Sequence, residues 1–184
     1  PLSAIITSNN ISCYGLTDGN ISLNISGGTA PYLENWNGFN PNFLSEGTYF
    51  FSITDSNNCS LSDSISIQEP DSLYINTNYN NISCFGLNDG NASITIFGGV
   101  PSYTESWGNS NPSSLSPGVH YFTISDTNGC SLNDSIFITQ PDSLIVLNTS
   151  YDATCFGGNN GFAVLTISGG TSPKILFKIL SKKL

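Results

Sequence analysis

Five cysteines, one histidine and thirteen carboxylates are the side chains of this 184-residue sequence that could do chemistry. The cysteines fall on a grid. Cys13, Cys84 and Cys155 are spaced by 71 residues, and so are Cys59 and Cys130. No Cys-x-x-Cys pair is present, and fixed cysteine spacing in short, loop-rich segments points to disulfides in an oxidising compartment rather than to a metal. The histidine, His120, has no partner pattern for catalysis. A hydrolytic triad needs a base beside its nucleophile, whereas His120 sits in an alternating stretch where Tyr49 stands 71 residues earlier. The carboxylates of Asp18, Asp55 and Asp71 lie in turn motifs, where Asp side chains bond their own backbone. The same residues, with Asn and carbonyl neighbours, form the one candidate cation set. Calcium takes several such oxygens, and a site at a junction between units would stiffen a string of them, although no Asp-x-Asp-x-Asp-Gly loop is present. No cofactor other than this calcium is expected.

The 71-residue period extends beyond the cysteines. It relates Trp36 to Trp107, Pro70 to Pro141, and the Gly pairs 27–28, 98–99 and 169–170. About half of the positions in 11–73 recur in 82–144 without a gap. A unit of this length can hold a small core of its own. The period predicts complete units at 1–70 and 71–141 and the start of a third at 142–173. Residues 174–184 match nothing upstream and carry all four lysines. They read as a frameshifted or truncated end, or else as a basic amphipathic helix. The chain begins at Pro1 without a signal segment and reads as a piece of a longer protein.

Apolar residues alternate with polar ones in Ile21–Ile25, Tyr49–Ile53, Ile65–Ile67 and Leu73–Asn76, and again in the second unit. Period two is the strand pattern. Turn residues separate these runs: TDG at 17–19, SGG at 26–28, DSNN at 55–58, NDG at 88–90 and DTNG at 126–129. About six short strands per unit, with turns every eight to twelve residues, predict an all-β fold of tandem, small, immunoglobulin-like antiparallel β-sandwiches. Trp36 and Trp107 are placed in the core between sheets, against a minority reading as sugar-stacking surfaces.

Two cysteine pairings fit the period. Within units they are Cys13–Cys59 and Cys84–Cys130, leaving Cys155 over; across the linker they are Cys59–Cys84 and Cys130–Cys155, leaving Cys13 over. Loop-closure entropy separates them by only about 0.5 kcal/mol. The within-unit pairs are preferred because each unit should fold by itself.

The formal net charge is −9, and no Lys or Arg occurs before Lys174. Without cations to displace phosphate counterions, nucleic-acid binding is excluded. No apolar run approaches the roughly 18 residues of a membrane span.

With the period, the turns and the tryptophans in hand, the sequence resembles the SprB repeat of gliding-motility adhesins of Bacteroidota. The resemblance rests on CYGLTDGNISLNISGGTAPY with Trp36, on EGTYFFSITDSNNCS (46–60) and on ISIQEP (65–70). Unit two matches at CFGLNDG, Gly98–Gly99, Tyr103, Trp107, Gly118, DTNGC and QPD; unit three matches at Cys155, Gly157, Gly161, Gly169, Gly170 and Pro173. His120 replaces the family tyrosine, Pro101 sits one place early, and Asn160 stands where the family has Asp.

The resemblance implies a large secreted cell-surface protein, exported by the type IX system, that acts in adhesion and often in gliding, with repeats that are not enzymes. The expected role is mechanical: a polar, weakly charged stalk whose partners are neighbouring repeats and a surface polysaccharide bound weakly by many copies. A carbohydrate-binding accessory module of a secreted hydrolase and an inert spacer are the rivals. Tyr32, Phe39, Phe43 and Phe50 could form a sugar platform, but Ser110 and Ser114 replace Phe39 and Phe43 in unit two. Asp-Ser pairs before an apolar residue, such as Asp63-Ser64-Ile65 and Asp134-Ser135-Ile136, are candidate O-glycan sites.

Overall fold

A computed structural model describes residues 1–173, so the expectations for the 174–184 tail lie outside the described residues. The alternating stretches form strands. In the first repeat β1 (Ser3–Asn9) pairs antiparallel with β2 (Asn20–Ser26), Ser3 opposite Ser26 and Asn9 opposite Asn20. β3 (Leu33–Asn35), β4 (Gly47–Thr54) and β5 (Ser60–Ile67) make a second, three-stranded sheet with β4 in the middle. Period two sorts β4 cleanly: Tyr49, Phe51 and Ile53 are buried while Phe50 is exposed. A bridge between Gly19 and Leu44, and the bond from the Ile11 amide to the Gln68 carbonyl (3.0 Å), join the two sheets' connections.

The core they enclose comprises Ile11, Ile21, Trp36, Leu44, Tyr49, Phe51, Ile53 and Ile67, all from the first 67 residues. The second repeat follows the same plan with β6 (Tyr74–Asn80), β7 (Asn91–Phe97), β8 (Thr104–Ser106), β9 (Gly118–Ser125) and β10 (Ser131–Ile138). Its buried positions Ile82, Trp107, Leu115, His120, Phe122, Ile124 and Ile138 recur 71 residues after those of the first. The third repeat contributes one hairpin, β11 (Ile145–Tyr151) with β12 (Phe162–Ser168).

The chain is therefore all-β and antiparallel, with five strands per complete repeat instead of the six expected. The alternation at Leu73–Asn76 lies past the boundary at residue 70 and leads into β6, which pairs with β7 of the same second repeat. β3 and β8 carry no apolar alternation; all three residues of each are exposed, so the pattern left them unseen. Two sheets of two and three strands are fewer than the seven strands of an immunoglobulin constant domain.

The strands belong to two compact units. One comprises Pro1–Asn76, Thr95–Ser106 and Thr123–Asn133; the other comprises Thr77–Ile94, Trp107–Phe122 and the described residues from Asp134 onward.

Candidate functional site

One disulfide lies in the first unit, and its setting is built from two loops. The first loop follows β1. Asp18 accepts bonds from both the Ser12 hydroxyl and the Ser12 amide, the latter at 3.1 Å, and closes a tight ring of residues 12–18. The hydroxyl first, and then the amide, hold the Asp18 carboxyl below its ordinary range. The Glu69 carboxylate also accepts the Gly15 amide at 2.9 Å, tying the far end of the repeat to this loop. The ring recurs at Ser83 and Asp89, where the Ser83 hydroxyl and amide likewise lower the carboxyl. In the third repeat the Thr154 amide donates to the Asn160 side-chain oxygen (3.1 Å), and the Asn160 amide group donates to the Thr154 hydroxyl (2.8 Å). An amide side chain thus does the carboxylate's work there.

The second loop is the turn between the last two strands of each repeat. Asp126 sits under it, 6% exposed, and one of its oxygens accepts the amides of Asn128 and Cys130, both at 2.9 Å. Its other oxygen accepts the Val100 amide at 2.8 Å, beside the Gly98–Gly99 corner. Both glycines have positive φ, and a Cβ on Gly98 would lie 2.0 Å from the Ser72 carbonyl oxygen, so the corner admits no side chain. Asp55 repeats the arrangement with the amides of Asn57, Cys59 and Thr29. The Cys59 amide contributes most to lowering the Asp55 carboxyl, against the opposing effect of burial.

The two loops meet across repeats. The Asn128 side-chain amide donates to the Ser12 carbonyl at 2.9 Å, and Cys13 and Cys130 are joined with their Cα atoms 5.6 Å apart. Cys59, Cys84 and Cys155 are free and exposed. This corrects both expected connectivities. Cys13–Cys59 and Cys84–Cys130 do not form, nor do Cys59–Cys84 and Cys130–Cys155. The physical reason is that closure entropy grows only with the logarithm of loop length. A separation of 117 residues is thus scarcely penalised, and the placement of the folded loops decides the pairing.

Among the described residues no three His, Cys, Asp or Glu side chains converge on a point that could hold a metal. Asp18 and Asp55 are engaged by N–H and O–H donors, and donors repel a cation. Asp71 enters the structure through its backbone carbonyl, which accepts the Gly99 amide at 2.8 Å.

Both tryptophans and the histidine are structural in their placement. Trp36 is 9% exposed, lies 5.0 Å from Phe51 by ring centroids, and donates its indole N–H to Glu34 at 3.0 Å. Trp107 is 8% exposed and lies 4.7 Å from Phe122. His120 is buried, its Nε2 2.8 Å from the Ser116 carbonyl and its Nδ1 2.9 Å from the Ser110 hydroxyl. A carbonyl only accepts, so Nε2 carries a proton and donates it to Ser116, while Nδ1 shares a hydrogen bond with the Ser110 hydroxyl. Phe39 lies edge-on to Tyr49 at 5.1 Å yet is itself 54% exposed, and Phe43 and Phe50 are exposed as well. Sequence reasoning missed the partners Ser12, Glu69 and Glu34. All three left a periodic signal: a Ser or Thr recurs six residues before each Asp or Asn of the first loop, Glu34 recurs as Glu105, and Glu69 is matched by Gln140, whose side-chain oxygen accepts the Gly86 amide at 3.0 Å.

The sequence profile of the SprB repeat matches the chain three times, at residues 5–39, 76–112 and 147–173. The chain belongs to the SprB-repeat family. Each match opens on the first hairpin of a repeat and contains its first cysteine loop and glycine corner. SprB repeats are structural repeats of cell-surface proteins. No curated protein and no solved structure matches the chain. No helix among the described residues is long and apolar enough to cross a membrane.

Proposed function

We propose that this chain is a load-bearing segment of a large extracellular adhesin of a gliding bacterium, exported by the type IX system and held at the outer surface. The observation that carries the reading is the Cys13–Cys130 bond, which ties the first loop of one SprB repeat to the last turn of the next. A covalent tie between successive repeats suits a stalk that must carry tension. The exterior supports the same reading: β1 and β6 expose mainly Ser, Thr and Asn, and residues 1–173 contain no Lys or Arg. Such a surface is solvated and weakly self-adhesive. Polysaccharide is the proposed ligand, bound weakly per repeat and strongly by many repeats together. The accessory-module reading is less favoured, because Phe39 packs on Tyr49 and Ser110 replaces it in the second repeat.

Single-molecule pulling from the two ends tests the mechanical claim. An intact staple withholds the 117-residue stretch it spans, about 400 Å of contour at roughly 3.3–3.6 Å per residue. The oxidised chain should extend that much less than the reduced one. Equal contour lengths would reject a load-bearing staple.

A further inference from the structure

The junction closed by Cys13–Cys130 has a counterpart one period later that, among the described residues, stands open. In the closed junction the Gly99 amide donates to the Asp71 carbonyl, the Gly98 corner abuts the Ser72 carbonyl, and the Asp126 turn rests on the Val100 amide while Cys130 bonds Cys13. In the second unit the same frame is present. The Gly170 amide donates to the Asp142 carbonyl at 2.8 Å, and a Cβ on Gly169 would lie 1.9 Å from the Ser143 carbonyl oxygen. What differs is the turn. The atoms nearest Gly170 all belong to Leu144, where Gly99 has the Asp126 carboxylate. In its place is a cleft lined by Ser83, Cys84, Asp142, Leu144, Gly170 and Thr171. These are the residues 71 positions after Ser12, Cys13, Asp71, Leu73, Gly99 and Val100. Cys84, the counterpart of Cys13, is free and exposed within it.

The hairpin beside the cleft is uncovered in the same sense. Val146 is 52% and Leu165 42% exposed, whereas their first-repeat counterparts Ala4 and Leu23 pack against a core that the three-stranded sheet completes.

We infer that the Cys84 cleft is a docking site for the second half of a following SprB repeat: a three-stranded sheet whose turn reads Asp-Ser/Thr-Asn-x-Cys. Its carboxylate takes the Thr171 amide, its sheet covers Val146 and Leu165, and its cysteine bonds Cys84. The covalent step is oxidation of two thiols to one disulfide, with oxidised glutathione taking up the two electrons and two protons as two reduced thiols. The rule that follows is general along the array: the first cysteine of each repeat pairs with the second cysteine of the next. Cys59, Cys84 and Cys155 are free because each would pair outside this segment.

The test adds a synthetic peptide of residues 103–141 to the full 184-residue chain in a glutathione redox buffer and maps the mixed disulfides. Rates are normalised to the reaction of each thiol with glutathione alone. Docking should favour the Cys84 adduct over those at Cys59 and Cys155 by about tenfold or more, through effective concentration. An Asp126→Ala peptide should lose that preference. Even labelling of the three cysteines, or a Cys59–Cys84 bond between two copies of the chain, would overturn the assignment. A second arm joins residues 103–141 directly after Pro173, completing the third repeat within one chain. The appended cysteine should then bond Cys84 while Cys13–Cys130 persists; Cys84 left free, or bonded to Cys155, would overturn it equally.

Discussion

The first and second repeats enclose similar cores, with Ala92 in place of Ile21, and differ in polar chemistry at one point. In the first, Tyr49 donates its hydroxyl to the Ser45 carbonyl at 2.9 Å, and Phe39 packs edge-on against its ring. In the second, His120 donates Nε2–H to the Ser116 carbonyl and shares a hydrogen bond at Nδ1 with the hydroxyl of Ser110, the residue at the position of Phe39. Two positions have changed together. A ring with a donor at its tip is kept in both, because the carbonyl behind it needs a partner. The second contact follows the ring: an aromatic edge suits tyrosine, and a hydroxyl suits an imidazole nitrogen. The frame is thus set by the hydrogen bond to the backbone, and the side of the pocket is free to vary as a pair.

The comparison can be broken most severely at what the repeats share. Trp36→Ala or Trp107→Ala removes a large buried ring and should cost about 3–5 kcal/mol in urea unfolding. A near-neutral result at either would show that its repeat has no tryptophan-centred core. Cys13→Ser removes the staple and should cost about 2–5 kcal/mol, while Cys59→Ser, a free exposed thiol, should change stability little. Similar losses from the two would contradict the assigned pairing.

The divergent pair offers a finer test. Tyr49→His and Phe39→Ser transplant the second repeat's chemistry into the first. A double-mutant cycle should give a favourable coupling of about 1 kcal/mol, and additive losses would show that the two positions vary independently. The smallest effect concerns protons. The carboxyls of Asp18, Asp55 and Asp89 are depressed in the fold by their donors. Their stabilisation is therefore complete above the ordinary carboxylate range near pH 4 and is lost as pH falls through the lower folded values. Melting temperature should hold from neutral pH to about pH 5 and fall below about pH 4. Asp18→Asn with Asp89→Asn, copying Asn160 of the third repeat, should shallow that fall, and an unchanged acid profile would remove these loops from the account.

Much of this was legible in advance. The period, the all-β class and the turns follow from alternation and from Asn, Asp and Gly, which are local signals. The strands β3 and β8 were not legible, because three exposed residues held in place by β4 and β9 carry no pattern of their own. Nor was the disulfide. A strict 71-residue grid makes every pairing of a first with a second cysteine look alike, and only the meeting of Ser12 with Asn128 in space selects Cys130 for Cys13. The engagement of the candidate calcium ligands was hidden for a related reason. Asp18 and Asp55 look like ligands in sequence, but backbone amides claim their oxygens once the turns close.

The central claim is that a covalent bond runs from one repeat to the next. Non-reducing peptide mapping tests it directly, with chymotrypsin rather than trypsin because the first lysine is Lys174. A fragment linking Cys13 to Cys130, with Cys59, Cys84 and Cys155 all open to alkylation, is the predicted result. A Cys13–Cys59 or Cys59–Cys84 fragment would contradict it.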